Sequence, residues 1–202
     1  MFTGIVEGRG TVLEVFTSGD VTRVVVDVPN AEGLQRGASV SIDGTCLTAV
    51  DIDGRRVGFD VIPETIARTI LTEVRAGAEV NVERALRFGD EVGGHLVSGH
   101  VMGVGMIAEV NDLDGGRNLR IACQSNVLRY IHEKGYIAVS GISLTVGRRE
   151  VDGFWLHLIP ETLERTTLGT ATTGGLVNLE VDPLTMAAVD TVERLLAERG
   201  EA

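Results

Sequence analysis

The sequence predicts an all-β protein built as two tandem six-stranded barrels followed by one helix. Three observations carry that prediction. First, the chain repeats itself. IPETIART (62–69) returns as IPETLERT (159–166), GTCLTA (44–49) as GISLTV (141–146), and VNVE (80–83) as VNLE (177–180), always 97 residues on. A shared register across three separated phrases means duplication of a whole unit. Second, glycine is abundant (26) and aromatic residues are scarce (4%), while Val, Ile and Thr fill most segments. That composition favours short strands and tight turns. Third, each half has room for about six short strands, which suits a small closed barrel without exposed edges.

Each half runs through the same elements. A glycine-punctuated strand comes first, IVEGRGTVLEVF in one half and HVMGVGMIAEV in the other. An alternating strand follows, TRVVVDV or RNLRIAC, and then a turn or short helical segment, NAEGLQRG or QSNVLRYIHEKG. Next come SVSI or YIAV, the Gly-X-X-Leu-Thr corner, and a hairpin turning at Asp53-Gly54 or Asp152-Gly153. PET opens a short turn, and VNVE or VNLE closes the half. GIVEGRG (4–10) pairs with GHVMGVG (99–105) at an offset of 95 instead of 97. An insertion of two residues at NDLDGGRN (111–118) would reconcile the offsets. The boundaries expected are 1–97, 98–183 and 184–202. The last segment starts as a helix at Pro183, a residue suited to a first turn. Its stripe of Val189, Val192 and Leu196 has no third domain to meet and points to self-association.

The net charge of −11 argues against nucleic acid, whose binding needs a basic face. Cys46 and Cys123 sit in a chain with no secretory context, so no disulfide is expected. MFTGIVEG lacks a basic segment and a long apolar run, and nothing approaches the roughly 18 apolar residues of a membrane span. A cytoplasmic protein is expected. His95 and His100 have no Cys or His set that completes a metal site, so no metal is expected. The glycines of GRGTV and GVGMI open no helix and are not a dinucleotide fingerprint.

The halves share a scaffold but differ at three polar positions: Ile5 against His100, Cys46 against Ser143, and Asp60 against His157. Alternation places Cys46 with Thr48, and Ser143 with Thr145, on one strand face. The cysteine is either a packed core residue or a nucleophile. The PET phrases are either structural turns or donors and acceptors at a barrel mouth. A matched scaffold with unmatched polar groups points to two similar molecules treated differently.

MFTGIVEG, GTCLTA, GGHLVSGHV, GISLTV and LIPETLERTTLG together resemble the riboflavin synthase family of the alpha-chain type, over essentially the whole chain. The resemblance implies Greek-key barrels, a helix that gathers three subunits, and no cofactor. It implies a dismutation of two 6,7-dimethyl-8-ribityllumazine molecules and, in some members, association with lumazine synthase. The first pocket it implies is Gly4, Ile5, Val6, Cys46, Leu47, Thr48, Asp60, Val61, Ile62, Pro63, Glu64 and Thr65. The second is Gly99, His100, Val101, Lys134, Ser143, Leu144, Thr145, His157, Leu158, Ile159, Pro160, Glu161 and Thr162. Within it, His100 is the candidate for proton transfer and Cys46 and Ser143 for nucleophilic or hydrogen-bonding help. Thr145 and Asp182 are the candidates for positioning. Antenna proteins that only bind a lumazine or flavin resemble the same repeat and are the alternative.

Overall fold

The computed structural model describes residues 1–200; positions 201 and 202 of the expected C-terminal segment lie outside the described residues. The first half folds as β1 (Gly8–Ser18), β2 (Val21–Asp27), β3 (Ser39–Ile42), β4 (Thr45–Asp53), β5 (Arg56–Val61) and β6 (Glu79–Arg84). These close into an antiparallel barrel in the order β1-β2-β5-β4-β3-β6. The second half gives β7 (Gly103–Leu113), β8 (Gly116–Ala122), β9 (Tyr136–Val139), β10 (Ile142–Arg149), β11 (Gly153–Leu158) and β12 (Leu176–Val181). They close in the matching order, β7-β8-β11-β10-β9-β12. Alternation along the strands fills each barrel with branched and aromatic side chains. Val24, Val26, Ile42, Val57 and Phe59 pack the first, and Ile107, Leu119, Ile121, Phe154 and Leu156 the second.

Several local expectations are corrected. The PET phrases are not simple turns. They start short helices, α1 (Pro63–Arg68) and α3 (Pro160–Arg165), because proline at the first position gives up only an N–H that has no helical partner. Each helix is closed by an ion pair one turn apart, Glu64 with Arg68 and Glu161 with Arg165. The extra two residues of the second half do not lie in the β7–β8 hairpin, which matches β1–β2 in length. They lie between β8 and β9, where 123–135 replaces 28–38 and forms α2 (Ser125–Leu128). The first hairpin turns at Gly54-Arg55, just after Asp53, and the second at 150–152, which includes the expected Asp152.

The last helix, α4 (Pro183–Arg199), is capped by Asp182, whose carboxylate accepts the Thr185 amide at 2.9 Å. It does have a partner within the chain, contrary to expectation. Met186 and Val189 pack on the second barrel's core, Tyr130 donates to Asp190 at 2.6 Å, and Arg129 pairs with Glu193. Leu184 in its first turn and the later apolar residues Val192, Leu195 and Leu196 stay exposed.

The barrels meet reciprocally. Phe2 and Val97, equivalent positions of the two halves, form a two-way backbone bridge and are both buried. Asn81 Nδ2 donates to the Ser140 carbonyl (2.9 Å), and Asn178 Nδ2 to the Asp43 carbonyl (2.8 Å). The side-chain oxygens of these asparagines accept the Thr167 and Ile70 amides of the opposite barrel. Each contact from one half is thus returned by its counterpart, as in a two-fold interface. Gly44 and Gly141 face each other there; a Cβ on either would fall within 3.0 Å of the other's backbone.

Candidate lumazine site

The segment just before the first strand of each half touches the other barrel. At Gly4 (φ +73°) and Gly99 (φ +82°) the chain takes a left-handed kink that glycine accepts readily. There it touches the other barrel before entering β1 or β7 of its own. Ser143 donates its amide to the Gly4 carbonyl at 2.8 Å, and Cys46 donates its own to the Gly99 carbonyl at 2.9 Å. Val6 is buried in the second barrel's core. The grouping by half is therefore corrected: Gly4, Ile5 and Val6 belong with Ser143, and Gly99 belongs with Cys46. A Cβ at either glycine would lie 2.5 Å from the Cβ of the residue it faces.

A carboxylate clamps each crossing. Glu83 accepts the Thr3 amide (2.6 Å), the Thr3 hydroxyl (2.8 Å) and the Gly4 amide (3.0 Å). Glu180 accepts the Ser98 amide (2.6 Å), the Ser98 hydroxyl (2.7 Å) and the Gly99 amide (2.9 Å). Burial pushes the Glu83 carboxyl up, and the Thr3 and Gly4 bonds oppose it. Sequence reading missed both glutamates and both asparagines. Their signal was present, since VNVE and VNLE write the same Asn-X-Glu into an apolar strand twice.

At the Ser143 corner a cleft of about 120 Å³ is lined by Gly4, Ile5, Val6, Ser143, Glu161 and Thr162, among others. Thr145 is exposed on the same strand face as Ser143, whereas Leu144 packs against the core. His95, the other missed residue, holds Ser143: its Nδ1 lies 2.7 Å from the Ser143 Oγ. Its ring stacks on Tyr136 with centroids 5.1 Å apart and an 18° tilt. Burial pushes the His95 imidazole down and the nearby Asp182 charge opposes this. Burial would raise Asp182, but the Thr185 hydroxyl and the Thr185 and Leu184 amides outweigh it and hold the carboxyl below its usual range.

At the other corner Cys46 is half-buried, Leu47 is buried and Thr48 is exposed. His100 is exposed and follows Gly99, so within one chain it lies with Cys46 and not with Ser143; its amide donates to Ser98 Oγ at 3.1 Å. Met102 and Gly103, just beyond, line a 240 Å³ hollow together with Ala67 and Arg68 of α1. Val61 and Leu158 are buried, while Ile62 and Ile159 are exposed beside their prolines. Asp60 is tied to Arg23 and His157 to Asn118 (2.6 Å), and both of this unmatched pair are exposed, on β5 and β11. Lys134 is exposed at φ +64°, where the first half has Gly37 at φ +89°.

Among the described residues no group of three or more His, Cys, Asp or Glu is arranged to hold a metal. Nor is any helix among them long and apolar enough to cross a membrane. Both cysteines are free thiols, and burial raises that of Cys123 to about 11.

The duplicated barrel is matched by a known family. The lumazine binding domain matches at residues 3–85 and again at 98–182. The chain is 46% identical to the riboflavin synthase of Escherichia coli (strain K12), covering 100% of this chain and 96% of that protein. It is 41% identical to that of Chlamydia pneumoniae, with both chains covered completely. The chain belongs to the riboflavin synthase family. Solved structures agree: LumP complexed with 6,7-dimethyl-8-(1'-D-ribityl) lumazine superposes with a TM-score of 0.82 at 25% identity, covering 90% of this chain and 99% of LumP. LumP complexed with riboflavin superposes with a TM-score of 0.83 at 27% identity. Family membership accounts for the duplicated corner. Each half presents a glycine kink, a carboxylate clamp and a strand-borne Cys or Ser.

Proposed function

We infer that this chain catalyses the riboflavin synthase reaction. Two molecules of 6,7-dimethyl-8-ribityllumazine exchange a four-carbon unit, giving riboflavin and 5-amino-6-ribitylamino-2,4(1H,3H)-pyrimidinedione. The two copies of one substrate supply every atom of the products, with no net oxidant or reductant. The observation that carries this reading is 41–46% identity to riboflavin synthases over the full chain. The paired, unlike corners support it, because a dismutation needs two similar molecules in different roles.

The roles we assign follow the corners. The substrate sites combine Gly4, Ile5 and Val6 with Ser143, Leu144, Thr145 and the run 157–162, and Gly99, His100 and Val101 with Cys46, Leu47, Thr48 and the run 60–65. His100 moves the proton lost from the C7 methyl of one lumazine. Ser143 and Cys46 hydrogen-bond the reacting rings or assist addition to them. Thr145, Lys134 and Asp182 position the polar chain and ring edge. Holding two flat rings face to face supplies much of the rate.

The working unit we propose is a cytoplasmic homotrimer with the domain limits 1–97, 98–183 and 184–202; lumazine synthase is its proposed associate. The 120 Å³ cleft at Ser143 is well below the roughly 300 Å³ of an ordinary ligand pocket. A ring bound there leaves one face open to a second ring carried by a neighbour. The exposed Val192, Leu195 and Leu196 of α4 offer an apolar contact to that neighbour.

The test is to mix the purified protein with 6,7-dimethyl-8-ribityllumazine alone, chelator present, and follow riboflavin absorbance. One riboflavin per two lumazines supports the enzyme. Tight binding without riboflavin, as in the antenna proteins of this fold, overturns it.

A further inference from the structure

The two corners are built alike except at one point. Ser143 has a histidine on its side-chain oxygen, whereas among the described residues no hydrogen bond reaches the Cys46 sulfur. The reason lies in the topology. His95 belongs to the connector between the barrels and reaches Ser143 of the second barrel. Ser143 stands between this imidazole and the cleft formed with Gly4, Val6 and Thr162.

His95 is fixed from several sides. Its amide donates to the Thr3 carbonyl at 3.1 Å, its ring is stacked on Tyr136 of β9, and the residue is only 8% exposed. The groups facing it are Tyr136, Ser143 on β10, the Thr3 carbonyl and the Asp182 carboxylate before α4. A ring held this way cannot turn away when its protonation changes. The change must be passed to Ser143.

We propose that His95 is a positioning residue that sets which way the Ser143 hydroxyl faces. With the proton on Nε2, the neutral ring accepts the Ser143 O–H at Nδ1, and the oxygen's lone pairs face the cleft. When the ring is protonated, Nδ1–H donates to Ser143 Oγ, and the hydroxyl hydrogen is released toward the cleft. One serine is therefore an acceptor in one state and a donor in the other. The Cys46 corner has no such switch, so the two bound lumazines meet chemically different environments. Burial favours the neutral imidazole, which puts the reversal on the acid side of neutrality.

The inference rests on the riboflavin synthase reading, and its test includes a readout that does not. His95→Asn keeps a hydrogen-bonding group near Ser143 without a titration. In the wild type, kcat/KM for riboflavin formation falls about tenfold per pH unit below the imidazole pKa. In His95→Asn that limb becomes shallower than in wild type, with His100 still contributing as the proton-transfer group, and adding Ser143→Ala changes the profile no further. Separately, the ¹⁵N resonances of His95 titrate at a different pH in Ser143→Ala than in wild type. This second measurement needs no turnover and stands even if no riboflavin forms. An acid limb in His95→Asn identical to that of the wild type, or a His95 titration indifferent to Ser143→Ala, overturns the proposal.

Discussion

The Gly4 carbonyl accepts the amide of Ser143, a residue of the opposite barrel, at 2.8 Å. Each candidate site is therefore made from both halves of the chain. Gly4→Ala adds a Cβ 2.5 Å from the Ser143 Cβ at a φ of +73°. Strain of about 1–3 kcal/mol at that residue displaces the corner. The expected outcome is a fall in kcat/KM of at least about tenfold with a small drop in melting temperature, read by steady-state kinetics and thermal melts. Gly99→Ala at the Cys46 corner behaves alike.

Lys134 holds a left-handed backbone in the place where the first half has Gly37. For a residue with a Cβ this costs roughly 1 kcal/mol, a sign of function when it persists. Lys134→Gly is expected to leave stability equal or slightly raised while KM for the lumazine rises. A stability loss of more than about 1 kcal/mol with unchanged KM would make the lysine structural.

Asp43 is buried between the barrels, and its carboxyl is raised to about 7 by burial, with the Asn81 amide opposing at 2.8 Å. Its counterpart in the second half is the neutral Ser140. A raised carboxyl favours folding when protonated: its contribution is complete below pH 4 and is lost as pH rises through 7. Asp43→Asn removes this dependence. Its melting temperature should exceed that of the wild type by several degrees at pH 8, and the advantage should vanish near pH 4. A constant difference across that range would contradict the assignment.

Asn81 and Asn178 tie each barrel to the other by both side-chain atoms. Asn178→Ala leaves the Asp43 carbonyl and the Ile70 amide without these partners, at a cost of about 1–3 kcal/mol each. Urea unfolding of Asn178→Ala should separate into two transitions, one per barrel. A single transition at the wild-type midpoint would show that the barrels are held together by other contacts.

Much of this fold was legible because duplication writes its evidence twice. The barrels and the equivalence of Cys46 with Ser143 follow from phrases that align at a fixed offset, and the C-terminal helix from Pro183 and the spacing of its apolar residues. The crossing at Gly4 and Gly99 was not legible. Self-similarity says which residues correspond, but not which copy each one touches, and an exchange between identical frameworks leaves the alignment unchanged. The two extra residues were misplaced for a related reason: a gap between aligned phrases fits any polar stretch, and only the structure puts them at α2. His95 escaped because a lone histidine beside glycines shows no partner in the sequence. Its role comes from Ser143 and Tyr136, both distant in sequence. Glu83 and Glu180 were readable as scaffold, but a buried carboxylate gives no hint of the amides it holds until the chain has crossed.

The measurement that tests the account most directly is equilibrium binding of riboflavin to the wild type and to Gly4→Ala, Ser143→Ala, Gly99→Ala and Cys46→Ala, each verified as folded. The account predicts two classes of site of unequal affinity. Gly4→Ala and Ser143→Ala weaken the same class, and Gly99→Ala and Cys46→Ala weaken the other. If Gly4→Ala instead acts on the class weakened by Cys46→Ala, the sites follow the halves of the sequence and the crossed construction is wrong.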